Sequence, residues 1–295
     1  VRPACNEAKG NNDIRHFQGW HVDIQDALEI VSQTNPGMVR SHNEDSVAYD
    51  ADVGLVVLAD GMGGYNAGEV ASGIAVSVLS SEVGHHLKNA RPENLTDSGE
   101  ELGVALLRDN VKKANLSIFR AAQSQPQYAG MGTTIVTALF YDNRVAVAHV
   151  GDSRMYLLRG EALESITRDH SLLQEQIDSG LISKADARLS KNKNLVTRAV
   201  GIDAEVAPEL HIHEVQVGDV YLLCSDGLND MVEDEDIGMT LQMLQSNLPL
   251  AATQLIQMAN DNGGRDNVSV ILVKVKGRFA APRGWWPKLR SWFIN

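Results

Sequence analysis

The sequence predicts an α+β fold with largely antiparallel sheets, and two observations carry that expectation. Apolar segments of strand length come in runs, and so do helix-length segments, whereas parallel βαβ units would alternate strictly. Successive strands are also joined by short turns. Asp142-Asn143 connects "GTTIVTALFY" to "RVAVAHV", and Gly151-Asp152-Ser153 leads on to "RMYLLRG". Connections that short make antiparallel neighbours.

Taken in order, residues 1–26 are polar and without clear period, and read as a leader, tag or flexible arm outside the fold. From "ALEIVSQT" the pattern alternates, and "VGLVVLAD" (53–60) is a continuous apolar run of strand length ending on Asp60. Helical spacing without proline over 66–88 and about 97–124 predicts two long helices, and three strands follow within 132–160. Residues 167–206 break this rhythm with short helical pieces opening at Ser171 and Ser183, the second with capping-box spacing to Asp186. An insertion of that kind between strands is expected to be a lid or recognition flap. The strand "DVYLLCSDG", helices near 234–245 and 249–262, and a last strand "NVSVILVKV" complete one catalytic-size domain over 27–277. The tail, 278–295, groups Trp285, Trp286, Trp292 and Phe293 with Lys288 and Arg290. It is too short to span a bilayer, and packing on the domain is favoured over a partner or a membrane surface.

Bulk properties exclude several classes. A formal charge of −12 over 295 residues argues against a nucleic-acid binder, which needs a basic face. Cys5 and Cys224 stand far apart in dissimilar contexts, so neither a disulfide framework nor zinc spacing is implied, and Cys224 reads as a core residue of its strand. Residues 1–30 contain no apolar h-region and no apolar run is long enough for a membrane span, so a cytoplasmic protein is expected.

The chemistry sits in the aspartates. Asp60, Asp152 and Asp226 each follow an apolar strand, and Asp266 opens one. In antiparallel pairs the start of one strand lies beside the end of its neighbour, so all four can share one edge. Two bare carboxylates about 4 Å apart repel by roughly 4 kcal/mol at an effective dielectric near 20, which cations or protons must offset. Oxygen donors without cysteine or histidine select hard ions such as magnesium, manganese or calcium. Arg40, in "RSHNED", suits a phosphate oxyanion beside such a site.

These segments, in this order, resemble the metal-dependent serine/threonine protein phosphatases, or protein phosphatase type 2C, and their bacterial members in particular. The resemblance runs through "RSHNED" (40–45), "ADGMGG" (59–64), "GMGTT" (130–134), "HVGDSR" (149–154), "LLCSDGL" (222–228) and "GGRDNVSV" (263–270), with "TRDHS" and "NLVTRAVG" resembling the flap region. It implies a central β-sandwich of two antiparallel sheets flanked by helices, and hydrolysis of phosphoserine and phosphothreonine by direct attack of a water or hydroxide bridging two manganese or magnesium ions. By position, Asp60 would bridge the metals, and the Gly61 carbonyl, Asp226 and Asp266 would complete the ligands. Glu44 would act through water with Asp45 in support, Arg40 would hold the substrate phosphate, and Asn267 would fix the loop of Asp266. Asp152, Asp226 and Asp230 match a more weakly held third metal.

Many eukaryotic members carry histidine, assigned as the general acid, where this chain has Met62, which has no proton to donate. His149 and His170 read as structural or flap residues. If no metal-bound water protonates the leaving group, His170 is the first side chain to consider. The resemblance further implies phosphoprotein partners, a Ser/Thr kinase and its targets among them, and a monomer. A catalytically weak, partner-binding domain is the alternative, against which the full set of acidic positions speaks. A calcium-binding module would not need Arg40.

Overall fold

The computed structural model describes residues 23–64, 67–183, 186 and 195–281. A short helix, α1 (Ile24–Ala27), leads into β1 (Leu28–Asn35), β2 (Asp45–Asp50) and β3 (Leu55–Met62), followed by the long helices α2 (Ala67–Leu87) and α3 (Leu102–Ser124). Next come β4 (Gly132–Thr133), β5 (Ile135–Tyr141), β6 (Arg144–Val150), β7 (Arg154–Arg159) and β8 (Ala162–Ser165), and then α4 (Leu172–Asp178). The chain continues with β9 (Glu209–Glu214), β10 (Val220–Cys224), α5 (Asp226–Asn229), α6 (Asp234–Leu244), α7 (Leu248–Asp261) and β11 (Val268–Val275).

The strands form two antiparallel sheets, ordered β1-β11-β10-β7-β8 and β2-β3-β5-β6-β9, with β4 against the end of β3. Side chains such as Val56, Leu58, Phe140, Met155, Tyr221 and Ile271 fill the layer between the sheets. Leu79, Leu107 and Ile118 of α2 and α3 cover the outer face of the second sheet, and Ile237, Leu241 and Leu255 of α6 and α7 cover that of the first. This is the α-β-β-α sandwich that the resemblance implies. With both faces covered, every position of β5 and β10 is buried, which is why these strands read as unbroken apolar runs. Cys224, fully buried on β10, has its thiol pushed up to about 12 by burial and is an inert core residue.

Local chemistry sets the connections. Asp142 and Asn143 both have positive φ, 46° and 52°, as a two-residue type I′ hairpin requires. Ser171 opens α4 by accepting from the Gln174 N–H, and Ser183 accepts from the Asp186 N–H at 3.1 Å, although most of the second flap piece lies outside the described residues. Both ends of this expected flap segment are tied together where Leu172 N–H meets the Leu195 carbonyl at 2.9 Å. Ile24 lies beneath Gly54 and Phe279 is buried between the sheets, so packing reaches slightly beyond 27–277 on both sides. The tryptophans of the tail, and residues 1–22, lie outside the described residues. No helix among the described residues is long and apolar enough to cross a membrane.

Several elements were not expected from the sequence, among them α1, β4, β8, β9 and the single turn α5. β9 is a half-exposed edge strand, "ELHIHE", whose alternation of Leu210 and Ile212 with histidines is its only signal. β3 also runs past Asp60, where the apolar run ends, because Gly61 and Met62 pair with Thr133 and Gly132.

Candidate metal centre

The register of the sheets gathers the acidic residues at one end of the sandwich. Asp45 stands opposite Asp60 across β2 and β3. β10 and β11 pair Cys224 with Val270, and just beyond them Ser225 N–H donates to the Ser269 carbonyl, so Asp226, which opens α5, stands at the end of the ladder where Asp266 and Asn267 lead into β11. Asp152 follows directly on β6 through Gly151, and it lines a cleft of about 490 Å³ together with Asp226, Asn229 and Asp230.

Hydrogen bonds fix the backbone at two of the candidate ligands, Asp60 and Glu44. The Asp60 carbonyl accepts from Thr134 N–H and from Thr133 Oγ1, both at 2.8 Å, while Thr134 Oγ1 accepts from Asp60 N–H at 3.1 Å. Ser72 donates to the Glu44 carbonyl at 2.6 Å, and the Glu44 carboxylate accepts from the N–H of Gly68 at the start of α2. Asn267 N–H donates to Asp266 Oδ1 at 2.9 Å, and its side chain reaches a second segment. Its Oδ1 accepts from Glu44 N–H at 2.8 Å and its Nδ2 donates to the carbonyls of Pro36 and His42, so it holds the segment that carries Arg40 and Glu44. Thr133, Thr134, Ser72, Ser225 and Gly68 carry no role in the sequence reading. "GMGTT" marked the threonines as a motif, and nothing local marked the others.

The electrostatics are those of a site built for cations. Burial, and then the like charges of Asp45, Asp226, Asp152 and Asp266, hold the Asp60 carboxyl well above its ordinary range. Asp226 is raised in the same way by burial and by Asp152, Asp230, Asp266 and Asp45. Asp45 is pushed up to about 6 by burial, against the opposing hydroxyls of Ser269 and Ser225, and its buried Oδ1 has no hydrogen-bond partner within 3.5 Å. Asp152 is likewise pushed up to about 6, by burial and then by Asp169. Burial raises Glu44, with Arg40 opposing. An unpartnered buried carboxylate oxygen costs on the order of 1–3 kcal/mol. An all-oxygen donor set with such an orphan fits hard divalent cations. Arg40 is half-exposed, with Nη2 on Asp266 Oδ2 at 2.7 Å. Met62 follows Asp60 and Gly61 at the end of β3 and offers no proton.

Chelated protein should therefore be more stable at pH 5 than at pH 7.5. Carboxyls such as Asp45 and Asp152, with folded pKa raised to about 6, bind more protons when folded than when unfolded. Their contribution is fully present below the unfolded value near 3.8 and is lost as pH rises through about 6. Manganese at about 100 times its dissociation constant should restore roughly 2.7 kcal/mol per site, a gain of about 5–10 °C at pH 7.5. A melting temperature that climbs with pH in chelator would contradict this electrostatic account.

Comparison with known proteins agrees with this geometry. The family model for protein phosphatase 2C matches residues 39–269. The chain is 40% identical over 248 residues to the serine/threonine protein phosphatase PstP of Mycobacterium tuberculosis, covering 84% of this chain and 45% of that protein. It is 38% identical over 256 residues to the serine/threonine phosphatase stp of Listeria monocytogenes, covering 84% of this chain and 98% of that one. The catalytic domain of PstP, solved in complex with two manganese ions, superposes with a TM-score of 0.74 at 38% identity, covering 85% of this chain and 99% of that one. The chain belongs to the protein phosphatase 2C family. It spans less than half the length of the mycobacterial relative and nearly all of the listerial one.

Proposed function

We propose that this chain is a serine/threonine protein phosphatase that hydrolyses phosphoserine and phosphothreonine esters with two to three divalent cations, manganese or magnesium. The observation that carries this reading is the convergence of Asp45, Asp60, Asp152, Asp226 and Asp266 within one electrostatic field. Asp60, Asp226, Asp266 and the Gly61 carbonyl would hold two cations, with Glu44 acting through an intervening water and Asp45 in support. Asp152, Asp226 and Asp230 would hold the third. Bound there, the cations supply charge neutralisation at the phosphoryl oxygens and acidify water for in-line attack on phosphorus.

The chain's own residues do the positioning. The threonine pair at 133–134 fixes Asp60, and Asn267 fixes the Glu44 segment. Arg40, already at the rim on Asp266, can turn its fork to the phosphate oxyanions of a bound ester. Neither Met62 nor His170 protonates the leaving oxygen. The first has no proton, and both ring nitrogens of the second are engaged, with Gly151 and Glu209. Water in the open cleft is then the source of that proton. The partners follow as phosphoproteins, a Ser/Thr kinase and its targets among them, met by a monomer in the cytoplasm.

The test is phosphate release from a phosphothreonine peptide with manganese, after exhaustive chelation, and after readdition. Release is expected only with the metal, and full release in chelator would overturn the proposal.

A further inference from the structure

Next to the carboxylate centre stands a second group of titratable side chains, His149, His170, His211 and Glu209. His149 and Glu209 face each other across β6 and β9, and the rings of His149 and His170 stack at 4.7 Å. One nitrogen from each of these two histidines and one oxygen of Glu209 lie within 4.8 Å of one another, the dimensions of a cation site. The hydrogen bonds give the group a different role. Gly151 N–H donates to Nδ1 of His170 at 3.1 Å, so the ring proton sits on Nε2, which donates to Glu209 Oε2 at 3.1 Å. A neutral imidazole has one lone pair, and Gly151 already occupies it.

His170 thereby grips Gly151 twice, because its own backbone N–H also donates to the Gly151 carbonyl at 2.9 Å. Its carbonyl accepts from Thr197 N–H at 2.8 Å, and the adjoining Ser171 bridges Val196, where the flap returns to the body. Upstream, His149 Nε2 donates to the Arg168 carbonyl at 2.9 Å and pins the flap's entry to β6. Glu209 is the anchor of the ring, since its other oxygen accepts from His211 Nε2 at 2.9 Å. Gly151 itself has φ +109°, with Thr134 closing in on the position a Cβ would take, and Asp152 is the next residue.

We propose that His170 is a positioning residue that clamps the Gly151-Asp152 corner to both ends of the flap, so that flap docking on β6 and β9 places the Asp152 carboxylate. The proposal rests on the reading of Asp152 as a ligand of the third cation. It makes the flap more than a recognition surface, because a displaced flap also releases the corner that carries Asp152.

Two substitutions separate the two ends of the ring. His170→Asn keeps an acceptor oxygen where Nδ1 stands and loses the donor to Glu209. His170→Gln keeps a donor toward Glu209 and loses the acceptor for Gly151. In the full chain, His170→Gln and His170→Ala should raise the manganese concentration needed for the weakest activation phase about 10- to 100-fold and speed amide exchange at Gly151, while His170→Asn retains most of both. Asp152→Ala is the reference. If Asp152→Ala shifts the manganese dependence and His170→Gln does not, the clamp is overturned and the role of Asp152 stands. If Asp152→Ala shifts nothing, the third-cation reading fails, and unchanged Gly151 exchange in His170→Gln then overturns the clamp as well. Stoichiometric zinc binding that disappears in Glu209→Gln would also overturn it, by making the group a metal site.

Discussion

Asp60→Asn is expected to lower phosphate-ester hydrolysis by about 10³-fold or more while leaving the chelated protein as stable as before, or more so. The two effects have one cause. Asp60 lies within the field of four other aspartates and is held above its ordinary range by burial and by their charge. In the absence of cations its negative charge opposes folding at neutral pH, and asparagine removes the charge at nearly constant shape. The cations that those carboxylates would hold would supply several kcal/mol of transition-state stabilisation, and each 1.36 kcal/mol is tenfold in rate. The measurements are turnover on a phosphothreonine peptide with saturating manganese, and thermal unfolding in chelator and in manganese. In chelator the variant should melt no lower than the parent, with a gain of about 2–4 °C per kcal/mol of repulsion relieved, and in manganese it should lose most of the metal-induced rise. A variant that melts well below the parent in chelator would show Asp60 to be a structural residue.

The second large effect is expected from one methyl group. In Gly61→Ala the new Cβ would lie 2.1 Å from the Gly68 carbonyl oxygen and 2.6 Å from the Glu44 carbonyl oxygen. Both obstacles are backbone, so no side chain can rotate aside. The start of α2 must move away from β3, and the Glu44 carboxylate, bonded to the Gly68 N–H, moves with it. Overpacking of this kind costs about 1–3 kcal/mol or more, which reads as a fall of at least several degrees in melting temperature, and activity should fall as the Glu44 carboxylate is displaced. Gly73→Ala is the control. It lies in α2 with nothing within 4 Å of its would-be Cβ, and it should gain about 0.5–1 kcal/mol. If Gly61→Ala melts and turns over like the parent, the close approach of β3 and α2 is not what the site depends on.

These two residues show how much of the site was legible. Asp60, Asp152, Asp226 and Asp266 stood out because each adjoins an apolar run, and strand ends are a local property of the chain. Gly61 was legible only through the resemblance, as a carbonyl ligand, whereas its need for a bare α-carbon comes from the packing of α2 against β3. Asn267 was marked as a support, but the loop it supports lies more than 200 residues away in sequence. β9 was invisible because a half-exposed edge strand buries too little on either face to impose a strong period.

By itself, then, the sequence determined the class of fold, the fully buried strands, the two long helices and the carboxylates that close those strands, since each follows from hydrophobic period or turn chemistry within a short window. Only the tertiary structure decided how these parts meet. The contact of Gly61 with Gly68, the hold of Asn267 on the Glu44 segment and the grip of His170 on Gly151 all depend on the register of strands and the seating of helices. Such contacts join residues distant in the chain, and their geometry exists only after the sheets have paired and the layers have packed, so no local pattern of residue types encodes it.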